Sequence, residues 1–159
     1  MNIFIEEHQQ MLISLSKYKV KFILIGGYAV IYHGYARTTG DMDIWLALGD
    51  DNKEKLAKAL EFFGIDEESL SMIKSIDFTQ SQNVFYFGKE PRKIDFITLI
   101  SNVDFEDAFK QAEFFPFENF SIPVLDYHQL ILSKLTSSRL KDKADIEELQ
   151  RIHKYKNRE

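Results

Sequence analysis

Asp41 and Asp43 flank Met42 at the head of the segment Met42-Asp43-Ile44-Trp45-Leu46, in which acidic and apolar residues take turns. A period of two marks a half-buried β-strand, so both carboxylates leave one face while Met42 and Ile44 turn to the other. Their Cα atoms are then roughly 6.6 Å apart, close enough for both side chains to lean onto one or two hard cations. Two acids this close repel, and burying them without a cation raises the pKa of at least one, so the pair makes best physical sense with a divalent ion. Asp95 repeats the pattern in Lys93-Ile94-Asp95-Phe96-Ile97, where a lone acid interrupts an apolar strand. Taken singly, such a residue is ordinarily a solvated acid on a polar strand face. Three of them on neighbouring strands supply oxygen ligands for Mg²⁺ and fit two-metal phosphoryl transfer, with Asp95 placed to accept the proton of the attacking hydroxyl.

What precedes the pair sharpens this reading. Lys21 to Ile25 is a short β-branched and aromatic run, and Gly26-Gly27 follows it directly before a helix expected over Tyr28 to Tyr35. Free backbone N–H groups at a helix start hold phosphate, and a missing Cβ lets it approach. Elsewhere, apolar spacing predicts helices over Ile3 to Tyr18, Asn52 to Phe63, Glu67 to Ile73, Phe105 to Ala112, Asp126 to about Ser137 and Leu140 to about Lys154. Strands are expected at Met42 to Leu46 and Phe120 to Leu125. Lys74 to Thr79, Asn83 to Phe87 and Lys93 to Leu99 read as an antiparallel meander, punctuated by Ser-Gln-Asn and Gly-Lys-Glu-Pro turns. The order gives an α+β fold, a mixed β-sheet flanked by helices with a helical C-terminal segment, in a single domain over residues 1–159.

Composition limits the function classes. With 45% apolar residues, fourteen phenylalanines and seven tyrosines, the chain has the material for a packed core. Cysteine is absent, which removes disulfides, thiolate zinc sites and cysteine nucleophiles. The opening MNIFIEEHQQ carries acids where a secretory signal carries bases, and no apolar run reaches membrane-spanning length, so a cytoplasmic protein without a membrane role is expected. The net charge of −5 is uneven: from Lys134 onward eight Lys or Arg face five Asp or Glu, about +3, leaving about −8 for the rest. That basic end reads as a solvated helical face or as a docking patch for an anionic partner. His8, His33, His128 and His153 show no metal-ligand spacing. Phe85-Tyr86-Phe87 and Phe114-Phe115-Pro116-Phe117 read as core or interface, with base stacking as the alternative. Trp45, by count on the side of Asp41 and Asp43, either borders the site or is a packing residue.

The string IGGYAVIYHGYARTTGDMDIWL resembles the signature of the DNA polymerase β-type nucleotidyltransferase superfamily: an apolar strand, Gly-Gly or Gly-Ser, about a dozen residues, then acid, apolar, acid. Thirteen residues separate Gly27 from Asp41. The Arg37-x-Thr39-x-Asp41-x-Asp43 pattern is similar to small bacterial nucleotidyltransferase-like proteins grouped with abortive-infection toxins. Asp95 matches the family's third carboxylate, and Leu125 to Leu149, with Asp126, Lys134, Arg139, Lys141, Asp142 and Asp145, resembles that group's helical end. The resemblance implies transfer of a nucleoside monophosphate from an NTP to an acceptor hydroxyl on a tRNA, a protein or a small molecule. Gly26 and Gly27 would sit on the triphosphate, and Asp41, Asp43 and Asp95 on Mg²⁺. Arg37, Thr39 and Lys134 would complete the nucleotide site, the two bases as phosphate partners. Without that role, Arg37 would pair with an Asp in its loop and Lys134 would snorkel from its helix. Gly27-Tyr28 departs from the Ser-containing turn of many members. Membership in the toxin-like group would also imply a cognate antitoxin or partner protein. The rival readings are a non-catalytic nucleotide-sensing or partner-docking module of the same fold, and a two-metal hydrolase directing water at phosphorus.

Overall fold

The computed structural model of the protein describes residues 3–79 and 82–157. Met1, Asn2, Gln80, the Ser81 of the expected turn, and Arg158 and Glu159 of the basic end lie outside the described residues. The chain opens with α1 (Glu6–Lys17), whose first turn carries Glu6 and Glu7 and whose last carries Lys17, each sign opposing the helix dipole. It continues through β1 (Phe22–Ile25), α2 (Gly26–Tyr32), β2 (Met42–Leu46) and α3 (Asp50–Phe63). α3 stops at Gly64, whose φ of 110° lets its N–H reach back to Leu60 and Glu61. Buried Asn52 on α3 ties this corner together: Nδ2 donates to the carbonyls of Lys21 (3.0 Å) and Ala47 (2.9 Å), and Oδ1 accepts from Lys21 N at 2.7 Å.

The remaining elements are α4 (Glu67–Ser75), β3 (Val84–Phe87), β4 (Ile94–Ile97), α5 (Phe105–Gln111), β5 (Glu113–Phe117), β6 (Phe120–Val124), α6 (Tyr127–Lys134) and α7 (Leu140–Lys156). Asp66, Asp104 and Asp126 cap α4, α5 and α6 by accepting from the backbone N–H three residues on. The strands form one six-stranded sheet in the order β3-β4-β2-β1-β6-β5. β1 runs antiparallel to β2 and parallel to β6, while β2 runs parallel to β4. β3 closes one edge against β4 and β5 the other against β6, both antiparallel. A mixed sheet with helices packed on it is the α+β arrangement the sequence implies.

One buried cluster joins α1 (Met11, Leu12, Leu15), α3 (Leu56, Leu60) and the central strands (Ile23, Leu24, Ile44, Phe96). Two expectations are corrected. Lys74 to Thr79 is no strand: α4 runs on to Ser75, Lys53 Nζ donates to the carbonyls of Lys74 (3.0 Å) and Ile76 (2.9 Å), and Phe78 plugs the core at 0% exposure. The expected three-strand meander is therefore a β3–β4 hairpin, and β4 turns its other edge to β2. β5, legible in the sequence only as an aromatic cluster, is a strand; Pro116 speaks against one, but on a sheet edge the missing N–H costs no ladder bond. Among the described residues, no helix is long and apolar enough to cross a membrane.

Candidate active site

The register across β1, β2 and β4 does what the alternation promised. Asp43 is the partner of Asp95 on the parallel strand β4, and of Ile25, the last residue of β1, on its other side. Asp41 lies just ahead of β2, where Met42 N donates to Lys93 O at 2.9 Å. Trp45, by contrast, does not border the site: at 1% exposure it is sealed beneath α5, its ring edge-on to Phe105 at 5.0 Å.

The Gly-Gly turn is pressed against these acids. Gly26 has φ +67°, and a Cβ there would stand 2.1 Å from Asp43 Oδ2. At Gly27 a Cβ would stand 2.3 Å from Thr39 Oγ1, so both positions exclude any side chain. Thr39 Oγ1 in turn donates to Asp41 O at 3.3 Å, tying the connecting loop to the strand entrance. Tyr28, the residue standing where many proteins with the resembled signature have a serine turn, points away: it is 1% exposed and its hydroxyl meets His8 Nδ1 at 2.7 Å.

Asp43 is strongly perturbed. Burial, then the charge of Asp95 and a hydrogen bond to its carboxylate, then Asp41, push its pKa to about 6, with Lys134 partly opposing. Asp43 thus holds its proton more tightly than a free carboxyl does, for want of a cation to balance the acids around it. Lys93 supplies further compensation, with Nζ 3.4 Å from Asp95 Oδ1, 4.0 Å from Asp41 Oδ2 and 3.5 Å from Glu90 Oε1. No sequence motif singles out Lys93, although its place two residues before Asp95 on an alternating strand puts it on the same face.

A second layer comes from the helical end. Arg37 grips Asp145 with Nε 3.0 Å from Oδ1 and Nη2 3.1 Å from Oδ2, and Asp145 is 1% exposed. Lys134 Nζ lies 2.8 Å from Asp142 Oδ1 and 3.2 Å from Asp145 Oδ2. The alternative readings of the two bases are thereby corrected: Arg37 pairs with α7 rather than its own loop, and Lys134 is buried among acids rather than snorkelling. Burial alone would raise the Asp142 carboxyl, but hydrogen bonds from Lys134 and Ser137 hold it below the usual carboxylate range.

The eight residues that the sequence points to as metal or nucleotide ligands line one cleft of about 380 Å³: Gly26, Gly27, Arg37, Thr39, Asp41, Asp43, Asp95 and Lys134. Lys93, Glu90, Pro91, Arg139, Lys141 and Asp142 complete its wall. Among the described residues, no group of three or more His, Asp or Glu side chains is arranged to hold a metal ion as it stands. The donors nevertheless fit Mg²⁺ in kind. They are carboxylate oxygens, and Asp41 Oδ1 is buried without a hydrogen-bond partner among the described residues. A buried acceptor left open costs free energy unless something outside the chain completes it.

Fold and cleft together define an α+β protein whose acids and bases converge on one polar cavity beside a glycine turn. Residues 2–155 match the family described as nucleotidyltransferase of unknown function (DUF6036), and the chain belongs to that family. No curated protein matches the chain.

Proposed function

We propose that the protein is a Mg²⁺-dependent nucleotidyltransferase of the nucleotidyltransferase fold that moves a nucleoside monophosphate from an NTP to an acceptor hydroxyl, as a toxin-like member with a cognate partner. The supporting observation is the pairing of Asp43 with Asp95 in register, with Asp41 and the Gly26-Gly27 turn on the same cleft. Asp41, Asp43 and Asp95 would hold the metal, which when bound polarises the phosphoryl oxygens and lowers the pKa of the attacking hydroxyl. Gly26 and Gly27, on the wall of the same cleft, would meet the triphosphate through their backbone. Lys134 donates one hydrogen bond, to Asp142, and forms an ion pair with Asp145, which leaves N–H donors for the nucleotide phosphates. Arg37 and Thr39 complete that wall. Asp95 accepts the acceptor's proton as the hydroxyl oxygen bonds to the α-phosphorus; the bond from that phosphorus to the bridging oxygen breaks, and pyrophosphate leaves.

Incubation with α-phosphate-labelled NTPs, Mg²⁺ and cell extract tests this. A labelled acceptor and released pyrophosphate are expected, and Asp41→Asn should cut both by about 10²-fold or more. Labelling that survives the substitution refutes the assigned site. A binding module without turnover has one observation in its favour, the Lys93 ammonium among the carboxylates. It predicts Mg²⁺-dependent NTP binding with no pyrophosphate from any acceptor.

A further inference from the structure

Tyr86 stands outside the cleft wall but on the same sheet row as its carboxylates. Along β3, Phe85 and Phe87 turn into the core, where their rings lie 5.2 Å and 6.0 Å from that of Phe96. Val84 and Tyr86 turn the other way, and each is 61% exposed. Tyr86 is the register partner of Asp95, and Asp95 that of Asp43. One row therefore runs from Ile25, at the foot of the glycine turn, through Asp43 and Asp95 to Tyr86 at the sheet edge. Adjacent strands are about 4.8 Å apart, which puts Tyr86 one strand beyond Asp95 and about two beyond Asp43. Lys93 joins ring and acids, with Nζ 5.1 Å from the Tyr86 centroid and 3.4 Å from Asp95 Oδ1.

We propose that Tyr86 is the platform on which a nucleobase of the acceptor stacks, so that the acceptor is a nucleoside, free or at the end of a nucleic-acid strand. The inference rests on the nucleotidyltransferase reading. In phosphoryl transfer the attacking and leaving oxygens lie roughly in line. With the leaving pyrophosphate on the side of Gly27, Arg37 and Lys134, the attacking hydroxyl arrives from the opposite end of the row, past Asp95. There the chain offers an exposed aromatic ring. The β3–β4 connection beside it carries exposed Lys89 and Arg92, together with Lys93, against exposed Glu90, and stays net positive with Arg92 3.5 Å from Glu7 of α1, so it disfavours a cationic acceptor such as an amino sugar.

The test uses the full chain with Mg²⁺ and a non-hydrolysable ATP analogue at saturation, titrated with adenosine and, separately, with a short single-stranded oligoribonucleotide. Both probes should bind the wild-type protein. Tyr86→Ala should weaken them about 5- to 100-fold, Tyr86→Phe should bind nearly as wild type, and the analogue's own affinity should not change in either variant. Tighter binding of the oligoribonucleotide assigns the strand end as the source, equal affinities the free nucleoside; either supports the platform. The proposal is overturned if neither probe binds, if Tyr86→Ala leaves their affinities intact or weakens the analogue equally, or if N-acetyl-tyrosine amide binds in their place. Failure of the analogue to bind the wild-type protein with Mg²⁺ counts against the nucleotidyltransferase reading instead, and adenosine titrated alone into wild type and Tyr86→Ala still decides the platform.

Discussion

Asp43 is held in a state that suits a proton or a cation and little else. Its pKa rises from 3.8 to about 6 through burial and the neighbouring Asp95 and Asp41. The folded protein therefore takes up a proton that the unfolded chain does not between those two values. Its contribution to stability is full below about pH 4 and is lost as the pH rises through 6. In cation-free buffer, Asp43→Asn should accordingly gain stability over wild type as the pH climbs from 4 to 7, reaching on the order of 1–3 kcal/mol by denaturant unfolding. An advantage that stays flat across this range would contradict the raised Asp43 pKa. Adding Mg²⁺ at pH 7 should stabilise the wild type and leave Asp43→Asn nearly unmoved. These acids were legible in the sequence because a carboxylate set into an apolar strand is costly unless a proton, a cation or water meets it. Lys93 followed the same alternation, yet a lysine at a strand start is so often solvated that nothing marked it.

At the scale of elements, α1 reaches into the site from behind. A carbonyl only accepts, so the contact of His8 Nε2 with Arg92 O at 3.1 Å fixes the ring proton there and leaves Nδ1 to accept from the Tyr28 hydroxyl. One buried imidazole thus braces both α2, which begins at the glycine turn, and the β3–β4 connection that carries Lys93. That connection is also pressed onto Gly40, where a Cβ would meet Pro91 O at 2.2 Å. His8→Ala should cost about 1–3 kcal/mol by removing the acceptor of the Tyr28 O–H and the donor to the Arg92 carbonyl, measured by urea unfolding. A loss of only a few tenths would mean that the imidazole braces nothing. Burial lowers the His8 pKa from 6.5, so protonation below that value should loosen the same brace, opposite in sign to Asp43. Most elements could be read in advance from caps and period, as with Asp126 before α6 and Gly64 after α3. β5 could not, because Pro116 is informative only once the strand is known to lie on an edge. The apolar run Ile73, Ile76 and Phe78 misled for a related reason: a helix end and a core plug can space apolar residues as a strand does.

Across the whole molecule, the cleft is walled by segments that lie far apart in the chain. Arg37 and Asp145 are 108 residues apart in sequence, and Asp145 also holds Lys134. The acids and bases of this cluster have side chains no more than 14% exposed, so removing one member strands the others. Asp145→Ala should cost about 3–5 kcal/mol in urea unfolding, far more than an exposed pair such as Lys55–Asp51. A loss below about 1 kcal/mol would show that the helical end does not anchor the site. No periodicity announces such a partnership: the resemblance of Leu125 to Leu149 to a known helical end brought Lys134 and Asp145 into view, but not their pairing with each other or with Arg37.

The central claim is that Asp41, Asp43 and Asp95 gather a divalent cation beside the glycine turn. Diffraction from crystals grown with Mn²⁺ and a non-hydrolysable NTP, with the anomalous signal locating the metal, tests it most directly. A peak is expected at about 2 Å from the Asp41 and Asp43 carboxylates, with the triphosphate against Gly26 and Gly27 and Lys93 displaced from Asp41. A metal bound elsewhere, or a cleft in which Lys93 still bridges Asp41 and Asp95 with no metal between them, would contradict it.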